Sequence, residues 1–284
     1  MTSSDSLTPD EAEAQFNPQR SVPNSAEYGA RRAPVNERAL AHPRRVADLA
    51  WAPQGLNSLD LYPPEGSGPW PVHAFIHGGY WRAQDKRNFA FTATELNKRG
   101  ILVAVLNYDL CPAVTLDGTV ASALGGLEWL LRHAPAHGGD LSRFTLSGHS
   151  AGAHLVAAAL ATDWAARGLP ANPFSGALLT SGIYNPASAM LTTVNADLHL
   201  TPEIAARHDY EALAPRCACP CWVMVGGEEP VRWIDHSLRY AQHLRRHGLK
   251  PGVLVAPGFH HFDILDQYLD PASDIQRLLR LLAP

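Results

Sequence analysis

The sequence predicts an α/β fold: a mostly parallel central sheet with helices on both faces, an antiparallel N-terminal edge and a small helical insertion. Three observations predict it. From residue 72 onward, short apolar runs alternate with stretches of helical spacing, the pattern of successive strand–helix units. Just before them, VADLAW and LNSLDLY alternate apolar and polar residues around a break at Pro53 and Gly55, which reads as an antiparallel hairpin. Residues 183–215 interrupt the alternation and are long for a plain connection, so they are expected to hold extra helices over the site, a cap insertion. The chain has 284 residues, 46% apolar and 18% charged, which suits one large domain over 1–284 and gives no sign of disorder.

Each element follows in order. Residues 1–45 form an N-terminal extension rich in Pro, Ala, Arg and polar residues, with short helices expected at Ser25–Arg32 and Asn36–Ala41; its low apolar content argues against an independent domain. VHAFI (72–76) is a short buried strand, and residues 85–99 read as a helix stopped by Gly100. ILVAVLN (101–107) is apolar throughout, as expected for a strand covered on both faces. Leu116, Val120, Leu124, Leu127 and Leu131 line one side of a helix over 116–133. RFTLSG is a strand and 151–165 a helix; GALLTSG, WVMVG and GVLVA are further strands; residues 232–247 and 263–282 are the helices after the last two.

Net charge is -4 and the pI about 6.4, which gives no reason to expect nucleic acid or an anionic membrane surface as a partner. The start, MTSSDSLTPDEAEAQ, has acids where a secretory signal needs bases, with no apolar segment behind them. No stretch approaches the ~18 apolar residues of a membrane helix, so a cytoplasmic location is expected. Cys111, Cys217, Cys219 and Cys221 include a CACPC cluster. It lacks the second ligand pair that zinc sites usually use, and reads as reduced thiols at the mouth of a buried strand.

The chemistry sits in four short stretches. LSGHSAGAH contains Gly148-His149-Ser150-Ala151-Gly152, a G-x-S-x-G pattern between an apolar strand and an Ala-rich helix. That context lifts a serine hydroxyl above the sheet on a cramped turn, with helix N–H groups aimed where negative charge develops. Such a serine needs a base, and the base an orienting acid; with this motif the chain order is Ser, acid, His. His154 lies one turn into the helix and is expected to pack locally, while His236, His243 and His247 fall on a polar, solvated helix face. His260 and His261 follow the last strand and a Pro-Gly turn, where the base belongs; His261 is preferred. The acid comes from Gly226-Gly227-Glu228-Glu229-Pro230, with Glu229 preferred over Glu228. His77-Gly78-Gly79-Tyr80-Trp81 supplies the other side of an oxyanion site: Gly78, Gly79 and Ala151 are the expected donors. Tyr80 and Trp81 are candidate substrate walls.

With these motifs, the chain resembles the kynurenine formamidase (arylformamidase) branch of the α/β-hydrolases. HGGYW stands where related lipase-like enzymes carry HGGG; GHSAGAH and His260-His261-Phe262 match too, as do QFNPQRSVPN near the start and NYDLCP at 107–112. The resemblance covers nearly the whole chain. It implies that Glu229 takes the family's acid position within VGGEEP and that His261 is the base. The Glu is a mild departure from the commoner Asp. It further implies acyl transfer to water on an aryl formamide such as N-formylkynurenine, with no metal or organic cofactor. The expected partner is a small-molecule substrate, with no nucleic acid and no membrane; a homodimer is left open. A carboxylesterase acting on short esters, a non-catalytic binding module of the same fold and a metal hydrolase using the Cys or His residues are the alternatives.

Overall fold

Apolar β-rich runs bounded by Gly and Pro become strands here, and a computed structural model describes residues 7–282; the first six residues of the acidic leader lie outside it. The strands are β1 (Val46–Ala50), β2 (Ser58–Tyr62), β3 (Trp70–Ile76), β4 (Leu102–Leu106), β5 (Gly139–His149), β6 (Gly176–Thr180), β7 (Cys221–Gly226) and β8 (Gly252–Ala256). They form one eight-stranded sheet in the order β1-β2-β4-β3-β5-β6-β7-β8. β2 runs antiparallel to both β1 and β4, and every later pairing is parallel. The helices are α1 (Pro9–Phe16), α2 (Pro18–Ser21), α3 (Ser25–Leu40), α4 (Thr92–Lys98), α5 (Leu116–His133), α6 (Ala151–Ala161), α7 (Asn195–Leu198), α8 (Pro202–Arg207), α9 (Val231–Arg246) and α10 (Asp274–Leu282).

β4 shows why the central strands are apolar throughout. Leu102, Ala104 and Leu106 enter the core beneath α5 and α6, while Val103 and Val105 enter the core beneath α4 and α10. A strand covered on both faces has no solvent side on which a polar residue could sit. The parallel strands point their carboxyl ends the same way, so the loops after β3, β5, β7 and β8 gather along one edge.

Three helices differ from expectation. Residues 85–99 do not form one helix: a 3-10 turn at Lys86–Phe89 precedes α4. The turn is held by Asp85, whose side chain caps the Arg87 N–H, and by the Lys86 N–H donating to Asn107 Oδ1 at 2.6 Å. Residues 263–282 split into a 3-10 turn at Asp263–Tyr268 and α10, because Pro271 lies between them and cannot continue a helix. In the extension, the two expected short helices are one, α3, running through Gly29 and Pro34. Intrinsic propensity is overridden by tertiary anchors. Buried Arg32 donates to Asp266 Oδ1 at 2.7 Å and to the Phe262 carbonyl. Asn36 donates to the Asn88 carbonyl and accepts from the Phe91 N–H.

Residues 183–215 hold a 3-10 turn at Pro186–Leu191 followed by α7 and α8. The Thr193 N–H donates to Glu13 of α1, and Arg82 pairs with Asp197 of α7. The Tyr80 hydroxyl donates to the Phe16 carbonyl at 2.6 Å. The extension and this segment are therefore both tied to the loop after β3.

Candidate active site

β5 ends at His149, and α6 begins at Ala151, so Ser150 alone makes the turn. Its φ of 57° and ψ of -122° are a strained conformation for a residue with a Cβ. Crowding shows why glycines flank it. A Cβ on Gly152 would lie 2.0 Å from the Ile76 carbonyl oxygen, and one on Gly78 would lie 3.0 Å from Ser150 Cβ. The loop after β3 is thus packed directly against the serine turn. The Ser150 N–H donates to the Thr180 carbonyl at 2.9 Å, which pins the turn to β6 and removes that amide from any oxyanion role. Ala151 opens α6, and its N–H belongs to the first turn, whose amides have no partner within the helix.

In the loop after β3, His77 Nδ1 donates to the Gly78 carbonyl at 2.7 Å. Because a trans peptide points its C=O and N–H in opposite directions, this bond directs the Gly79 N–H away from His77. Burial pushes the His77 imidazole down to about 4, so it stays neutral, stacked between Phe89 and Tyr108.

The loops after β7 and β8 meet. Glu229 Oε2 accepts from His261 Nδ1 at 2.7 Å, and both side chains are buried. Glu229 Oε1 accepts from the Ser181 hydroxyl at 2.5 Å and from the Gly226 N–H at 2.9 Å. A buried carboxylate needs such partners, and here every one is a donor. Glu228 is exposed and contributes only its backbone N–H, to the Phe259 carbonyl. With its proton on Nδ1, His261 keeps Nε2 free to accept a proton. Trp233 packs edge-on against the His261 ring at 4.9 Å between centroids and donates through Nε1 to the Ser181 carbonyl. His260 points elsewhere, to the Tyr28 hydroxyl.

His149 links the two halves. Its Nε2 donates to the His261 carbonyl at 2.8 Å, and the two rings lie 4.6 Å apart. Burial first, then the neighbouring His261, hold its pKa well below the ordinary imidazole value, which keeps it a neutral donor. Ser150, His149, His261, Gly78 and Gly79 all line one cavity of about 680 Å³. Among the described residues no hydrogen bond joins the Ser150 hydroxyl to His261; such contacts are often long before substrate binds.

The far wall of the cavity comes from the extension, through α2 and α3, including Pro18, Tyr28 and Asn36. Tyr80 also lines it. Trp81, expected there, does not: it is fully buried, packed on His154 at 4.8 Å, and belongs to the core. His236 and His243 are likewise buried rather than solvated, bonded to Glu211 and to the Leu213 carbonyl. The three cysteines of CACPC are buried free thiols at the start of β7, and burial pushes Cys221 up to about 12. Sequence reasoning missed Ser181, His149 and Trp233. The first and last carry no local motif, and the second occupies a motif position where any residue is allowed. No helix among the described residues is long and apolar enough to cross a membrane.

Fold and site together define a serine hydrolase of the α/β-hydrolase fold. A putative thioesterase from Silicibacter sp. superposes with a TM-score of 0.81 at 24% identity, covering 93% of this chain and 97% of that one. An esterase B from Lactobacillus rhamnosis gives a TM-score of 0.71 at 17% identity, covering 94% and 96%. The BD-FAE family model matches residues 59–171, the stretch from β2 past the serine turn. Over almost its full length the chain is similar to kynurenine formamidases: it is 29% identical to that of Danio rerio, covering 96% of both chains. It is 27% identical to that of Drosophila melanogaster, covering 80% of this chain and 78% of that one.

Proposed function

We propose that the protein hydrolyses an aryl formamide, N-formylkynurenine, by a Ser150–His261–Glu229 triad. Ser150 Oγ attacks the formyl carbon while His261 Nε2 takes its proton. The oxyanion is held by N–H groups of Gly78, Gly79 and Ala151. His261 then delivers the proton to the aniline nitrogen as the C–N bond breaks. Water, deprotonated by the same histidine, attacks the formyl-serine; the ester C–O bond breaks, His261 returns the proton to Ser150 Oγ, and formate leaves. Glu229 orients the imidazole throughout, through its bond from His261 Nδ1.

The observation that carries the chemistry is the closed Glu229–His261 pair, whose His261 lines the same cavity as Ser150 and the glycine loop. The substrate rests on the full-length similarity to formamidases. Cavity size supports it: a formyl group is small, so most of about 680 Å³ is left for a bulky leaving group, within the ordinary range for ligand pockets. Four buried cysteines without a disulfide support a cytoplasmic location as part of this reading. Esterases among the similar structures favour a second reading, hydrolysis of short esters. Formate release from N-formylkynurenine, compared with p-nitrophenyl acetate turnover, separates the two. The formamidase reading expects a kcat/KM well above that for the ester; an ester faster by orders of magnitude overturns it.

A further inference from the structure

We infer that His149, beside its hold on the base loop, is a specificity-determining residue: its Nδ1 accepts the N–H of the scissile bond and so favours an amide over an ester of the same shape. This rests on the formamidase reading and deepens it, by naming the group that separates two substrate classes at one site.

The protein fixes the tautomer of His149. Nε2 lies 2.8 Å from the His261 carbonyl oxygen, which has no proton to give, so the ring proton is on Nε2. Burial keeps the ring neutral, and a neutral imidazole with its proton on Nε2 has a lone pair on Nδ1. Among the described residues Nδ1 has no hydrogen-bond partner, yet it is not one of the fully buried atoms left without one. His149 is 4% exposed, and it lines the cavity that holds Ser150. The accessible acceptor therefore opens into that cavity.

Its neighbours place it at the reacting group. A Cβ built on Gly78 would lie 3.0 Å from Ser150 Cβ and 3.3 Å from His149 Nδ1, so both atoms face the space that this glycine leaves free. The His149 ring is also 4.6 Å from the ring of His261. An acyl group attacked by Ser150 Oγ, with its oxygen on the glycine loop and its leaving atom at His261 Nε2, lies across this nitrogen. The N–H groups of Gly78, Gly79 and Ala151 are donors and serve amide and ester alike. Nδ1 is an acceptor, and a formamide brings a donor that an ester lacks. As the carbon becomes tetrahedral, the amide nitrogen loses its conjugation and turns its lone pair to His261 Nε2. Its hydrogen then needs an acceptor other than the base, and a bond made at that stage raises kcat rather than lowering KM.

The test uses formanilide and phenyl formate, which share the formyl and phenyl groups and differ only in NH against O. The quantity read is kcat/KM for formanilide divided by kcat/KM for phenyl formate, each corrected for spontaneous hydrolysis. His149→Gln sets an amide NH2 near the place of Nε2, which keeps a donor for the His261 carbonyl, and offers no acceptor at the place of Nδ1. The ratio is expected to fall about tenfold, the scale of one hydrogen bond. His149→Asn does the reverse: its amide oxygen takes the place of Nδ1 and the Nε2 donor is lost. Both substrates should then slow, with the ratio within about twofold of wild type. His149→Phe lacks both groups and should lower the ratio as His149→Gln does. A ratio unchanged in His149→Gln and His149→Phe, the mark of a histidine that only positions the base or binds water, overturns the assignment and leaves the formamidase reading intact. So does a ratio that falls as far in His149→Asn as in His149→Gln. A folded wild-type protein that cleaves neither formanilide nor N-formylkynurenine overturns the formamidase reading itself, and this assignment with it.

Discussion

Replacing Glu229 by Gln separates the two carboxylates of the loop after β7 by mechanism rather than by charge. The Gln amide oxygen can keep the bonds from the Ser181 hydroxyl and the Gly226 N–H, which now go to Glu229 Oε1. Its NH2 group then faces His261 Nδ1, where Oε2 now lies at 2.7 Å. Two donors cannot meet, so the imidazole must give up its Nδ1 proton and carry it on Nε2. That tautomer cannot take a proton from Ser150. The expected loss in kcat is about 10⁴-fold, or ~5.5 kcal/mol of transition-state stabilisation. Stability should change little, because shape and two of the three hydrogen bonds remain. Glu228→Gln is the control: its side chain is exposed, and kcat should stay within about twofold. The assay is single-turnover formate release, with a urea melt of each variant. A Glu229→Gln enzyme within tenfold of wild type, or a large loss in Glu228→Gln alone, would refute the reasoning.

His149→Phe removes the donor to the His261 carbonyl while filling similar space; kcat should fall about 10²-fold, the scale of an ångström misplacement of the base, with KM within twofold, read from steady-state kinetics. Gly152→Ala gains ~1 kcal/mol of helix propensity but drives a Cβ to 2.0 Å from the Ile76 carbonyl; backbone cannot rotate away, so overpacking of at least ~1–3 kcal/mol wins and the urea midpoint falls. Burial holds His73, His77 and His154 at about 3, 4 and 3, so the unfolded chain binds more protons than the native one below about pH 6.5. Their contribution is present in full above that pH and is lost as pH falls towards these depressed values, by up to ~1.4 kcal/mol per histidine per pH unit. Urea midpoints measured from pH 7 to 5 should fall, and a flat profile would contradict the burial of neutral rings.

Much of this was legible because it depends on residues near one another in the chain. Runs such as ILVAVLN can only be strands buried on both faces. The glycines around Ser150 and after His77 mark a crowded turn before any coordinates are known. Glu229 and Glu228 are adjacent and chemically alike, so only the direction of each side chain separates them, and that is set by the Ser181 and Gly226 donors. Ser181 lies 48 residues away from Glu229, and no local pattern announces it. The extension is less legible still. Its composition is that of a solvated leader, yet Arg32 and Asn36 anchor α3 beside the base loop, and the helix becomes a wall of the cavity. Trp81 and His236 show the converse: residue types that suit a site or a surface were drawn into the core by partners distant in sequence.

The central claim, that Ser150 is the nucleophile of a working hydrolase, is tested most directly by a fluorophosphonate probe and peptide mass analysis of the intact protein. The account predicts one stoichiometric adduct, on the peptide bearing Ser150, absent from folded Ser150→Ala and slowed at least a hundredfold in His261→Ala. A folded wild-type protein that stays unlabelled, or is labelled at another serine, contradicts it.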